Sequence, residues 1–325
     1  MFTSKLIICT IAIALFGQSE ANNKRGACYS PMHSDNYNKY VLYPSGLGDD
    51  IDNDMYQMSQ YVTHIRTFYS DNVGYDLVPY AAQYGLKVYL GVYMVDDTSS
   101  NFWQRQMDAA VDAAVYYNDT VEAIFVGNEN LYPNGDYYAA DIIERLEWIK
   151  DNITANCPDG WDCIDYLKFG TVQRVTEYKD DDIADDVDDL ADYCDILGVN
   201  IYPFYSSGYD SDEPTKILNS LWEQMIDKFG EDKVVLTETG WPTDGEETPN
   251  CGNEPGYDNA LNYYEGFLAW EPDVGSGPFF WYSFYDRNPT DSTVSKDFKY
   301  YFGFATYDNE IKADGEFPQN TTTWS

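Results

Sequence analysis

Histidine is almost missing from this chain. His33 and His64 are the only two. A zinc site takes three or four nitrogen, sulfur or carboxylate ligands at set spacings, and no cysteine cluster completes one here. No metal, no cofactor and no histidine-driven mechanism are therefore expected. Basic residues are scarce too: 19 Lys and Arg stand against 56 Asp and Glu, a formal net charge of -37. Such a field repels phosphate backbones and anionic lipid, which excludes nucleic acid and membrane surfaces as partners. A neutral polysaccharide remains compatible. After the first 21 residues no apolar run approaches the roughly 18 residues that cross a bilayer. The polar end Thr321–Ser325 lacks the hydrophobic tail of a lipid-anchor signal. No Pro/Ser-rich linker and no short repeat divides the chain. One domain over 22–325, acting as a monomer, is expected.

What is present begins with a leader. Lys5 precedes the apolar run Leu6–Phe16, and Ser19-Glu-Ala21 places small residues at the cleavage positions. Residues 1–21 read as a secretory signal peptide, too short to span a membrane. Secretion, outside the cell or into a cell wall, follows as the expectation. Cys9 leaves with the leader. Cys28, Cys157, Cys163, Cys194 and Cys251 remain, an odd number, so at least one is unpaired within the chain. Cys157 and Cys163 flank the turn-rich Pro-Asp-Gly-Trp-Asp and are the best intrachain pair. Asn118, Asn152 and Asn320 head glycosylation sequons, the first two expected to be exposed. The acidic run Asp180–Leu190 suggests calcium. Its apolar Ile183, Val187 and Leu190 recur at helical spacing, and the glycine-centred calcium loop is missing, so an amphipathic helix is expected.

Strand and helix signals alternate throughout. Short apolar, β-branched or aromatic runs fall at 26–30, 62–68, 86–93, 123–126, 167–172, 196–202, 234–236 and 278–284. Helical periodicity lies between them, clearest at 102–117, 137–152, 214–229 and 257–270. Eight such units predict an α/β fold, a single closed (β/α)8 TIM barrel.

Two strand ends carry carboxylates. Val234-Val-Leu-Thr-Glu238 runs into Thr239-Gly-Trp-Pro242, and Val121-Glu-Ala-Ile-Phe-Val-Gly-Asn128 runs into Glu129. In parallel α/β folds that end of the strands is where chemistry sits. A pair of carboxylic side chains, one protonated and one ionised, is what glycoside hydrolysis needs. Val-Gly-Asn-Glu followed by Thr-Glu-Thr-Gly-Trp-Pro resembles glycoside hydrolase family 17, the β-1,3-glucanases and related glucosyltransferases. The resemblance implies Glu129 after strand 4 as acid/base and Glu238 after strand 7 as nucleophile. It implies a secreted retaining hydrolase of β-1,3-glucan, with carboxyls roughly 5 Å apart. The alternatives are a glucanosyltransferase of the same fold and a wall protein that binds glucan without turnover.

The same resemblance assigns Asn128 to the sugar 2-hydroxyl and to the nucleophile. Tyr202 and Arg66, by hydrogen bond and by charge, would favour an ionised Glu238. Tyr69, Tyr93, Phe204, Tyr205, Trp241 and Tyr285 sit at or past strand ends and are candidate walls for the flat faces of sugars. The charge coupling of the two glutamates predicts a bell-shaped profile centred at about pH 4 to 6. Two places depart from the family. Arg287 stands where an acidic residue is common after strand 8. Gln173-Arg-Val-Thr follows strand 5 where fungal relatives tend to show Trp-Asn. Both bear on subsite geometry, and neither touches Glu129 or Glu238.

Overall fold

The computed structural model describes residues 25–95, 101–246, 251–270, 272, 277–289 and 296–319. The leader and the Asn320 sequon lie outside the described residues. Eight parallel strands form the barrel: β1 Arg25–Tyr29, β2 His64–Thr67, β3 Lys87–Val92, β4 Val121–Asn128, β5 Lys168–Arg174, β6 Ile196–Asn200, β7 Val234–Glu238 and β8 Phe279–Trp281. From β1 to β7 each pairs with the next in sequence, and β8 pairs with β1 in the register Arg25 to Phe279. Between β7 and β8 the ring is joined by a bridge of Thr239 with Trp281, where Tyr282 N donates to Thr239 O. The expected fold is thus present.

The strands are buried on both faces, as their unbroken apolar runs require. Alternate residues divide between two cores. Cys28, Tyr89, Phe125, Val235 and Phe280 fill the lumen. Ala27, Ile65, Val88, Ile124 and Leu236 face the helices. The helices are α1 Leu47–Met58, α2 Val78–Gln83, α3 Phe102–Tyr116, α4 Ala139–Asn156, α5 Val175–Tyr178, α6 Ala184–Tyr193, α7 Lys216–Phe229 and α8 Tyr257–Ala269. Each of the longer ones packs one stripe on the barrel. In α4 the stripe is Ile142, Leu146, Ile149 and Ile153, and in α7 it is Leu218, Trp222 and Met225. The acidic run is the amphipathic α6, with Val187 and Leu190 buried.

Cys157 and Cys163 form the expected disulfide, with Cα atoms 5.9 Å apart. The thiols of Cys28 and Cys194 are buried. One local expectation changes. The helix placed at 137–152 continues to Asn156, so Asn152 lies inside α4. It is half-buried, and its Nδ2 donates to Trp148 O at 2.8 Å. Asn118 sits in the turn after α3, also half-buried.

Two features of the strands aim the site. The β4–β5 register slips between Phe125 and Asn128, and the β7 register slips between Leu236 and Glu238. Each slip inserts one residue just before a carboxylate and re-aims the side chains after it. On β4 the extra residue is Gly127, at φ 80°. A Cβ there would meet the Asn130 side chain at 2.6 Å. Glu129 follows at φ 51°. A left-handed glutamate is strained by roughly 1–2 kcal/mol, and the bond from its N to Val172 O helps to hold it.

Candidate active site

Glu238 is the last residue of β7, at the carboxyl end of the barrel, and is almost wholly buried. Arg66 of β2 reaches across the lumen and donates Nη1–H to Glu238 Oε1 at 2.6 Å. Tyr202, two residues past β6, donates its hydroxyl to Glu238 Oε2 at 2.5 Å. A buried guanidinium needs such a carboxylate, and both donors favour the ionised carboxylate. Burial, and then the charge of Glu238, raise the Tyr202 phenol well above its ordinary range, so it stays a donor. The other arm of Arg66 donates to Asn128 Oδ1 at 2.6 Å. Asn128 and Glu238 are therefore joined through Arg66, in place of the direct bond expected. With Oδ1 so engaged, the Asn128 amide N–H groups are left for a ligand.

Glu129 stands in a different environment. Asn200, the last residue of β6, donates Nδ2–H to Glu129 Oε1 at 2.7 Å. Thr237 donates its hydroxyl to Asn200 Oδ1 at 2.8 Å, which fixes the amide's orientation. Arg174, ending β5, has Nη1 3.9 Å from Glu129 Oε2. Its own close partner is Glu177, fully buried, which accepts from Arg174 Nε at 2.8 Å. Burial foremost, and then the charge of Glu238, push the Glu129 carboxyl from 4.5 up to about 7, against the opposing pulls of Asn200 and Arg174. One carboxyl is thus built to hold its proton near neutrality, while the other is paired with a guanidinium and a phenol.

Both face a single cleft of about 1100 Å³. Tyr69 and Tyr93 stack at 4.5 Å on one side, and Tyr205 and Tyr282 lie on the other. Tyr285 reaches the wall, but its ring is buried, stacked on His33 at 4.1 Å, with its hydroxyl on Gln57. Two aromatic expectations are corrected. Trp241 is 1% exposed and packs against Phe204, Tyr209 and Tyr263, and Phe204 is itself fully buried. Neither touches the cleft. Gly240 turns the chain after Glu238, and Trp241 goes beneath the wall and anchors it, with Nε1 on Glu254 O. Asn200, Arg174, Glu177, Phe68 and Tyr282 were not singled out from sequence. The signal for Asn200 was a polar residue at the end of the otherwise apolar run of β6. No cluster of three or more His, Cys, Asp or Glu fit for a metal occurs among the described residues. No described helix is long and apolar enough to cross a membrane.

The BtgE/BtgC glycoside hydrolase domain family matches residues 26–303. A glucan 1,3-β-glucosidase of Arthroderma benhamiae is 25% identical over 69% of this chain and 71% of its own length. A probable β-glucosidase, btgE, of Aspergillus flavus is 26% identical over 56% of this chain, which spans only 28% of that protein. Among solved structures, an active-site mutant of the Rhizomucor miehei β-1,3-glucanosyltransferase, in complex with laminaritriose, superposes with a TM-score of 0.64. It is 18% identical and covers 89% of this chain and 96% of its own.

Proposed function

The chain belongs to the BtgE/BtgC glycoside hydrolase family, and on that premise we propose that it hydrolyses β-1,3-glucan with retention of configuration. The observation that carries the reading is the pair of carboxyls in one cleft in unlike settings, Glu129 raised to about 7 and Glu238 clamped by Arg66 and Tyr202. Glu238 attacks the anomeric carbon and forms a glycosyl ester. Glu129 gives its proton to the departing oxygen. Once the ester forms, the negative charge of Glu238 is gone, and with it one of the three causes that raise Glu129, after burial and beside the charge of Glu177. Glu129 then ionises at lower pH, and its carboxylate takes the proton of the water that displaces Glu238 from the sugar. Asn128 offers its amide to the 2-hydroxyl of the attacked sugar, a bond that strengthens toward the transition state. The stacked Tyr69 and Tyr93 offer an apolar face to a further sugar ring.

Residues 1–21 act in this reading as an export signal, and the remaining chain, 22–325, is the catalytic domain, placed outside the cell or in a wall. The test is time-resolved NMR of laminari-oligosaccharide cleavage. Retention requires that the β-anomer appears first and mutarotates later, and Glu238→Gln should abolish turnover on every substrate. An α-anomer first, or an active Glu238→Gln, would refute the assignment. Product sizing distinguishes the transferase alternative, because products longer than the substrate require a sugar acceptor in place of water. Binding of glucan without release of reducing ends would instead mark a wall-binding protein.

A further inference from the structure

The cleft has a charge balance unlike that of the rest of the molecule. Glu238 is paired with Arg66 at 2.6 Å, and Asp286 with Lys312 at 2.8 Å. Arg174 is paired with the buried Glu177, and His33 with Asp54 at 2.9 Å. Both ring nitrogens of His33 meet acceptors, Asp54 Oδ2 and Tyr307 O, and although burial pulls the other way, these bonds hold the ring's pKa above its ordinary value. Glu129 is neutral while it holds its proton. Two cations in the lining are left over. Arg287 and Lys299 have no carboxylate partner among the described residues. In a chain with a net charge of -37 and 56 acidic residues, this cleft thus holds two positive groups with no carboxylate partner among the described residues.

Arg287 is placed to bind. Its Nη2–H donates to Tyr282 Oη at 2.5 Å, and its guanidinium carbon lies 6.0 Å from the centre of that ring. Tyr282 in turn meets Tyr202 edge-on, and Tyr202 bonds Glu238. The guanidinium is thus two aromatic rings away from the reacting carboxylate, and it lines the cleft. A planar fork of donors suits a carboxylate bidentately. A chain of neutral hydroxyls would not require the positive charge.

We propose that the cleft accepts an acidic β-glycan, a glucan-type chain carrying a carboxylate on a sugar unit at or beside the point of cleavage, with that carboxylate seated on Arg287 and steered by Lys299. The proposal deepens the glycan-cleaving reading above and rests on it. It is tested with the full chain on two substrates: laminari-oligosaccharides, and the same oligomers oxidised at C6 to uronic acids. The readout is the ratio of kcat/KM on the oxidised substrate to kcat/KM on the neutral one.

The wild type should turn over both. Loss of a charge-assisted bond is worth on the order of tenfold, so Arg287→Gln should lower the ratio about tenfold. Arg287→Glu should lower it further, Arg287→Lys should restore part of it, and Lys299→Gln should lower it by a smaller factor. High salt should raise KM for the oxidised substrate alone. A ratio unchanged in Arg287→Gln, with an unchanged melting temperature, overturns the proposal, as does a wild type that cleaves only the neutral oligomers. In both cases the glucan reading survives. A folded wild type inert on both substrates overturns the two together.

Discussion

Replacing Glu129 by Gln should make the protein more stable at neutral pH while nearly removing its activity on glucan. In the folded state this carboxyl titrates at about 7, against 4.5 ordinarily. A group whose folded pKa is raised contributes stability that is complete below the unfolded value and disappears as pH climbs through the folded one. For Glu129 that window runs from 4.5 to about 7. The full difference is roughly 3 kcal/mol. The side chain is 28% exposed, so solvent screens part of it, and about 1–3 kcal/mol is expected. Gln keeps the shape and still accepts from Asn200, but it never ionises. Thermal unfolding of wild type and variant should coincide near pH 4. Near pH 8 the variant should melt several degrees higher, at about 2–4 °C per kcal/mol for a domain of this size. On glucan, kcat/KM should fall by about 10²–10⁴ without the acid. Substrates whose leaving group needs no proton should still form the glycosyl ester. In the wild type the alkaline limb of kcat/KM should fall near pH 7, at or just above the edge of the sequence-based window. A variant no more stable than wild type at pH 8 would show that Glu129 is not held protonated, and the acid assignment would go with it.

Arg174→Gln removes a positive charge beside Glu129 and leaves the buried Glu177 unpaired, so the alkaline limb of the kcat/KM profile should move to higher pH; a shift to lower pH would contradict the electrostatics. Tyr202→Phe deletes one of two donors to Glu238, and kcat/KM should drop about tenfold or more, measured on oligomers at the pH optimum; an unaffected rate would show that Arg66 alone suffices. Exported from a eukaryotic host, the protein should exceed its polypeptide mass through glycan at Asn118 or Asn320; Asn152, held inside α4, is the least favourable of the three acceptors. A mass equal to the bare chain would count against export through a glycosylating route.

The barrel was legible because a parallel strand buried on both faces leaves an uninterrupted apolar run, and eight such runs recur between helical stretches. The ends were less legible. β4 and β7 both reach farther than their apolar runs, since Asn128 and Glu238 complete the ladders as polar residues. Helix α1 escaped notice although Leu47, Ile51, Met55 and Met58 recur at helical spacing and are buried. Four aspartates sit among them and mask the stripe. One of these, Asp54, is itself fully buried and gathers Tyr29, His33 and Asn309, an arrangement no local pattern encodes.

The site divides along the same line. Residues next to the two motifs, or inward on a strand with an evident need for a partner, could be named: Arg66 and Tyr202 donate to Glu238, while Asn128 reaches it only through Arg66. Residues that depend on which strand lies beside which could not. Asn200 reaches Glu129 because β6 is the neighbour but one of β4, and Arg174 because β5 lies between them. Trp241 shows the converse error. It stands three positions from Glu238, an odd step, and alternation continued past the strand end would already set it on the opposite face from that carboxylate. The turn at Gly240 does not bring it back, so proximity in sequence became burial behind the wall. The register slips on β4 and β7 place the carboxylates, since without them Glu129 and Glu238 would follow the pleat of their strands. A strand that must present an acid at its end departs from regular geometry there, and regular geometry is what periodicity reads. The residues that carry the chemistry are therefore the ones whose aim the sequence pattern resolves least, even when their identity is plain.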